Sequence, residues 1–428
     1  MVAVVGAALV GSFVTSTAIH YAVGYLVTSL ATSAILGALM PKPTVSGSNR
    51  GYQTNKIGPA QDHSVIYGRM KVGGAIVFDE GTGTNNKFLH RVIAVAGHEV
   101  QSFDEIYIND ELVTLNSDGF VTAPSKYVKE NVIKVYLPNT GTYYSFTTYD
   151  YVIRIKTHNG STDQDADTDL IDESNGKWTS EHKLSGIAYM YARLTFDADI
   201  FPNGIPVITT VVSGKKVYDP RSGTTSHSDN PALCLRDYLT SKYGLAEEAV
   251  NIDDTLISSA ADVCDQTNTD AGTKRFTCNG SFTTASTPYD MITELLKSMG
   301  GTLWYAQGKW RAKPAYWTDT VMDLNEDDLR SGISVSTRHS RRDNFNVIKG
   351  TFRGEESNWQ TTDYPQVTSS AFLIADNNQE SVADVDLSFT DNSIEARRLA
   401  LISLERNRQQ LTVNASFGLK TLELQVGD

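Results

Sequence analysis

Ser64–Phe78, SVIYGRMKVGGAIVF, is the stretch that most narrows what this chain can fold into. Val65, Ile66 and Tyr67 form an apolar run, Gly68-Arg69 and Gly73-Gly74 interrupt it, and Ala75 to Phe78 resume it. Apolar β-branched runs broken by glycine read as buried strand ends where backbones approach closely. The stretch predicts two short strands with a tight link. It carries nothing that can do chemistry, which points to a protein that assembles.

The charge balance limits the partners. Lys and Arg total 37 against 50 Asp and Glu, a formal net charge of -13. Nucleic acid is disfavoured as main partner, because phosphate binding needs clustered positive charge. The one basic cluster is Arg338, Arg341 and Arg342. Such an isolated cluster reads as a solvated face or an intersubunit ion-pair site. The three cysteines, Cys234, Cys264 and Cys278, fit neither a zinc spacing nor a disulfide framework and read as buried thiols.

No Asp, Glu, Lys or Arg precedes Lys42. Val2 to Met40 is apolar but rich in Gly, Ala, Ser and Thr, without the basic start and cleavage site of a signal peptide. Its length is ample for a membrane helix of about 20 residues. A bundle buried by neighbouring subunits uses the same small residues for packing, and the segment alone leaves both readings open. Gly6, Gly11, His20, Tyr21, Gly24 and Gly37 are its candidate packing residues.

About 150 residues per domain suggests roughly three domains. Residues 1–43 are the uncharged segment. Residues 44–212 read as a first β domain with an inserted β subdomain at about 98–185. Phe103–Val113 alternates around an Asn109-Asp110 turn, Val132–Leu137 and Tyr149–Thr157 are strand candidates, Val207–Val212 is another, and Gly214-Lys215-Lys216 reads as a turn. Residues 213–318 form a small α/β domain. Its helices start at Asn230-Pro231, at Asp253 or Asp254, and at Thr287-Pro288, and a hairpin turns at Ala306-Gln307-Gly308. Residues 319–428 return to β, with a capped helix over 391–408 and no clear closing element. The fold class is thus mainly β with α+β parts, in several domains.

Motifs for catalysis fail. G-x-S-x-G, the Walker pattern and H-E-x-x-H are all missing from the chain. Ser161–Ser174, STDQDADTDLIDES, is the densest acidic run. Counted from Asp163, the Gly and Glu that a calcium loop requires are replaced by Thr168 and Ser174, so an exposed acidic loop is expected. The sequence therefore predicts no catalytic residue, cofactor or metal.

Several stretches together resemble the tail-tip hub and central-fibre proteins of long-tailed bacteriophages, the tip attachment protein J-like family. They include the uncharged start, Ser64-Val65-Ile66-Tyr67-Gly68-Arg69, Asn86-Lys87-Phe88-Leu89-His90 and Ile106-Tyr107-Ile108-Asn109-Asp110. Asp163-Gln164 with the loop to Trp178, Phe201-Pro202-Asn203-Gly204-Ile205-Pro206, and Gly214 through Arg221 follow. Ser228-Asp229-Asn230-Pro231-Ala232, Cys278-Asn279-Gly280 and Arg408-Gln409-Gln410-Leu411-Thr412-Val413 complete the order along nearly the whole chain.

The resemblance implies a non-enzymatic homotrimer at the distal end of a virion tail, with tube-like β-barrel domains and an uncharged helical N-terminal segment. It implies contacts with distal tail and tail-tube proteins and with the tape-measure protein. In longer relatives a C-terminal part, not present here, binds an outer-surface receptor of the host. Residues 2–40 would form an axial plug or contact a host membrane, and Arg69, Arg338, Arg341 and Arg342 would lie at subunit contacts. The competing readings are a tail-associated cell-wall hydrolase and a membrane-anchored β-rich binding protein.

Overall fold

The computed structural model describes residues 53–57, 61–139, 142–267, 272–337, 340 and 344–426. They fall into two compact units. One is Ser48–Lys216 with Ser281–Ala285; the other comprises Val217–Gly280 and Ser286–Asp428.

In the first unit, Lys56–Ile57 (β1), Ser64–Tyr67 (β2), Arg69–Val72 (β3), Ala75–Thr82 (β4) and Phe88–Ala96 (β5) come first. Val100–Ile108 (β6), Glu111–Leu115 (β7), Val121–Ala123 (β8), Val128–Leu137 (β9), Thr142–Tyr151 (β10), Ile153–His158 (β11), Ala188–Thr195 (β12) and Ile208–Asp219 (β13) follow. One sheet runs β1-β4-β5-β12-β11. A second places β13 between β3 and β6 and continues through β7 to β8. The β6–β7 turn uses Asn109 (φ 50°) and Asp110 (φ 64°), the left-handed pair that a two-residue hairpin loop requires.

Ser64–Phe78 holds three strands, not the expected two. β2 pairs with the strand Gly280–Thr283, β3 joins β13, and β4 enters the five-stranded sheet. Fifteen consecutive residues thus tie three sheets together. The apolar side chains behave accordingly: Val65, Ile66, Tyr67, Met70 and Val72 are at most 2% exposed, and Tyr67 packs on Phe282 at 5.8 Å.

Gly214-Lys215-Lys216 is not a turn but part of β13. Gly214 serves close approach: its N–H donates to Gly68 O at 2.7 Å, and a Cβ there would lie 2.4 Å from Ile66 O. Gly214→Ala is expected to cost about 2 kcal/mol through forced separation of these backbones, measured as a lowered midpoint in chemical denaturation. An unchanged midpoint would contradict the packing role.

In the second unit the expected helices appear with their caps. Asn230 caps Pro231–Thr240, Asp253 caps Asp254–Asp265, Thr287 caps Pro288–Lys297 and Asn392 caps Ser393–Arg408. The hairpin Thr302–Ala306/Lys309–Lys313 turns through Gln307 and Gly308, both at positive φ. Leu233, Leu235, Leu239, Ile257, Ala261, Cys264, Cys278 and Leu295 are buried and form the core between these elements. All three cysteines are buried and free. Gly350 separates two short strands, Val347–Lys349 and Thr351–Arg353, whose partners differ.

The mainly β class with α+β parts holds. The resemblance implied tube-like barrels; among the described residues the sheets remain open, with β1 and β11 at the edges of the five-stranded one. No described helix is long and apolar enough to cross a membrane.

Candidate assembly surface

The acidic run is where the structure departs furthest from the sequence expectation. Its second half is the helix Thr168–Glu173, and four of its acids, Asp165, Asp167, Asp169 and Glu173, are engaged within the first unit. Asp167 is 3% exposed. One of its oxygens accepts from Leu170 N at 2.9 Å and caps the helix; the other meets His158 Nε2 at 2.9 Å. Burial works to raise the Asp167 pKa, but the hydrogen bonds from His158 and Leu170 outweigh it and hold the group below its ordinary value. The His158 ring stacks on Tyr189 with centroids 4.3 Å apart.

Glu173 is the centre of a second network. Its carboxylate accepts from Arg154 Nη2 at 2.8 Å, Arg193 Nη1 at 2.8 Å and the Tyr191 hydroxyl at 3.0 Å. The strand period of two and the register set this up. His90 on β5 lies opposite Arg193 on β12, which lies opposite Arg154 on β11, so all three reach one face of the sheet. Tyr191 donates to Glu173, so it accepts from His90 Nδ1–H at 2.8 Å, and His90 Nε2 meets the Thr82 hydroxyl at 2.7 Å. Burial lowers the His90 pKa and favours the neutral ring, against the opposing pull of Glu173. Tyr191 is pushed up by burial and by the same carboxylate.

Beside this polar row, Val92, Leu170, Trp178, Tyr189 and Tyr191 form an apolar cluster, with Phe78 meeting Trp178 edge-on at 5.1 Å. The segment 161–187 is thus clamped to the sheet by apolar contact and by charge together. His90 is 1% exposed with both ring nitrogens occupied, so it is a lock and has no free nitrogen for acid–base work.

Gln164 fastens the same segment. Its amide donates to Lys183 O at 3.0 Å, to Ile187 O at 3.1 Å and to Leu184 O, and its oxygen accepts from Gly160 N at 3.0 Å. Gln164→Leu removes all four of these bonds, although Leu184 O keeps Ile187 N at 2.9 Å, and is expected to cost about 2 kcal/mol. Limited proteolysis should then cut within 161–187 first; equal resistance to wild type would contradict the clamp.

β9 and β10 form a hairpin outside both larger sheets, bonded only to each other over ten residue pairs. Every residue from Thr142 to Asp150 is exposed. Val132, Ile133, Val135, Tyr136, Tyr143, Tyr144, Phe146 and Tyr149 are 39 to 66% exposed. Pairing of Phe146 with Ile133 and of Tyr144 with Val135 puts these four on one face. The opposite face carries Lys134, Glu130 and Tyr149, with Tyr136 and Tyr143 in contact at 5.0 Å. Lys129 is tied to Asp197 at 2.8 Å and Asn131 to Asp150 at 2.7 Å, so the polar end is at the base. Sequence reading found Val132–Leu137 and Tyr149–Thr157 but not a hairpin; the chain breaks at Val152, and most of β10 escaped notice.

The structure places Arg69 on β3. Its Nε donates to Asp104 at 3.3 Å and its Nη2 to Glu105 at 2.8 Å, and its side chain is 30% exposed. Next to it Lys71 is fully buried, paired with Asp110 at 3.0 Å and set over the Tyr107 ring. The other candidates, Arg338, Arg341, Arg342, Gly6, Gly11, His20, Tyr21, Gly24 and Gly37, lie outside the described residues. In the second unit a cavity of about 550 Å³ is lined by Asp363, Asp384, Asp386, Lys349 and Tyr364. Among the described residues no group of three or more His, Cys, Asp or Glu is placed to hold a metal ion.

No protein-family model matches the chain. Among characterised proteins it is 24% identical over 417 residues to baseplate hub protein pb3 of Escherichia phage T5. That match takes in 85% of this chain and 43% of the relative, so the chain spans less than half the relative's length. Among solved structures, a chain in the virion of a native gene transfer agent particle superposes with a TM-score of 0.60 at 13% identity, over 97% of this chain and 90% of that one. The fold is therefore shared with a chain of a gene transfer agent particle. A 43 kDa tail protein of prophage MuSo2 from Shewanella oneidensis reaches a TM-score of 0.24 at 11% identity over 83% and 82% of the two chains, which carries no argument. The resemblance to phage tail-tip hub proteins read from the sequence is met again in this likeness to a baseplate hub protein, to which the chain is similar along most of its length.

Proposed function

We propose that three copies of the chain form the hub that closes the distal end of a tail tube, contacts the tape-measure protein and links host-receptor binding to DNA delivery. Its role is structural, without catalysis. The observation that carries the reading is the sequence likeness to a baseplate hub protein along 85% of the chain, joined to a fold shared over 97% of it. The clamped sheet of the first unit suits this role. Its one buried histidine row is spent on holding a segment in place, as a rigid ring component requires.

In this reading 44–212 and 319–428 are the first and second β hub domains and 213–318 is the small α/β domain. Arg69 and the Arg338, Arg341 and Arg342 cluster lie at subunit contacts. A trimer also gives an open sheet edge such as β1 a place to be covered. Residues 2–40 of three copies would meet on the axis and plug the lumen, and would reach the host membrane on triggering. Deleting residues 2–40 tests this. Tails should assemble but leak or fail to deliver DNA, and fully infectious deletion particles would overturn it.

A further inference from the structure

Asp391 and Glu395, at the start of the helix Ser393–Arg408, face one hydroxyl, that of Thr277. Thr277 Oγ1 lies 2.8 Å from Glu395 Oε2 and 3.4 Å from Asp391 Oδ1, and Thr277 N donates to Glu395 Oε1 at 2.7 Å. The amides on either side, of Arg275, Phe276, Cys278 and Asn279, donate to backbone carbonyls, those of Gln266, Cys264, Asp229 and Phe389. Thr277 is thus the point where the hold on segment 274–279 passes through side chains that titrate. A hydroxyl carries one hydrogen, so Thr277 donates to one acid and only accepts from the other. Both contacts are hydrogen bonds only while one carboxyl keeps its proton. With both ionised, two like charges face one hydroxyl, and Glu395 is 3% exposed, where an unpaired charge is costly.

Burial raises both carboxyls, Glu395 to about 8, and the charged groups around them leave that in place. On the same helix Arg398 draws Glu395 towards ionisation, but its Nη1 donates to Arg275 O at 2.6 Å. On the segment, Lys274 is paired with Asp229 at 2.6 Å and Asp265 at 3.1 Å, and the Arg275 guanidinium lies over the Tyr316 ring. Asp229 adds negative charge beside Asp391, and burial keeps the Cys264 thiol of the helix Asp254–Asp265 protonated. Glu355 and Glu356 share a recess of about 260 Å³ with Asp391 and Asn392, a way out for the proton. We propose that the three side chains are a proton-operated latch: Asp391 and Glu395 hold one proton over Thr277, and its loss frees 274–279 from the start of the helix while the rest of the unit stays folded. Opened, Glu395 meets water and returns to its ordinary value of about 4.5, so the closed latch holds the proton more tightly. Opening therefore becomes up to about tenfold more favourable per pH unit from about 4.5 to about 8, and levels off above.

Hydrogen exchange of the full chain, read by mass spectrometry and corrected for the intrinsic rate at each pH, tests it. From about pH 6 to about pH 8 the protection of a peptide covering 274–279 should fall about tenfold more than that of the helix Pro231–Thr240, which belongs to the same unit. In Glu395→Gln, whose amide oxygen still accepts from Thr277 N, the two protections should keep a constant ratio. If 274–279 of the wild-type chain follows 231–240 at every pH, the latch does not open by itself and the inference falls. The same relative fall in Glu395→Gln would also overturn it, because the controlling proton would lie elsewhere.

Discussion

Glu395→Gln is expected to remove most of a pH dependence that wild type shows between about pH 5 and pH 8. Glu395 is 3% exposed in the first turn of the helix Ser393–Arg408. Its oxygens accept from Thr277 N at 2.7 Å and Thr277 Oγ1 at 2.8 Å. Burial pushes its pKa up to about 8, Asp391 adds to the rise, and the Thr277 bonds and Arg398 oppose it. Asp391 is itself raised by burial.

The sign follows from linkage. Below the unfolded value of about 4.5 both states hold the proton and the group contributes nothing. Between there and about 8 the unfolded chain loses its proton first, so stability falls as pH rises, at roughly 1.4 kcal/mol per unit. Above about 8 the loss is complete. Chemical denaturation at pH 5.5 and 8.5 should show wild type losing about 3 kcal/mol more than the Gln variant, whose amide oxygen still accepts from Thr277. Parallel curves would mean that Glu395 ionises normally in the fold.

The second large effect is expected at Glu173. Glu173→Ala leaves Arg193, 19% exposed at its side chain, without its carboxylate, leaves Arg154, 10% exposed, with Asp169 alone at 3.3 Å, and leaves the Tyr191 hydroxyl without its acceptor. Removing one member of such a group costs about 3 kcal/mol, because the remaining charges stay desolvated. Glu173 is itself 28% exposed, so the effect should lie at the lower end of that range. Urea denaturation gives the number, and near-ultraviolet circular dichroism at Trp178 and Tyr191 should report loosening of the 161–187 segment. A cost under about 0.5 kcal/mol would reduce the network to an ordinary surface ion pair.

Local signals in the sequence translated well into structure. Asn230-Pro231 and Thr287-Pro288 capped the helices they suggested, because an N-cap is satisfied within four residues. Asn109-Asp110 turned the hairpin it suggested for the same reason. Non-local facts did not translate. Gly214 carries the composition of a turn, and only the approach of Ile66 and Gly68, about 150 residues away in sequence, makes it a strand residue. The acidic run read as exposed because the side chains that engage Asp167 and Glu173, namely His158, Arg154 and Arg193, come from strands β11 and β12. The hairpin was hidden for the opposite reason. Alternating Val, Ile, Tyr and Phe mark a strand with something to cover, and sequence does not say that these side chains stay exposed.

The most direct test of the account is the number and position of copies in the native particle. A reconstruction of the tail without imposed symmetry should show three copies of this chain, in a ring that closes the distal end of the tube. Six copies in the tube wall, a single copy, or a particle that lacks the chain would contradict the account.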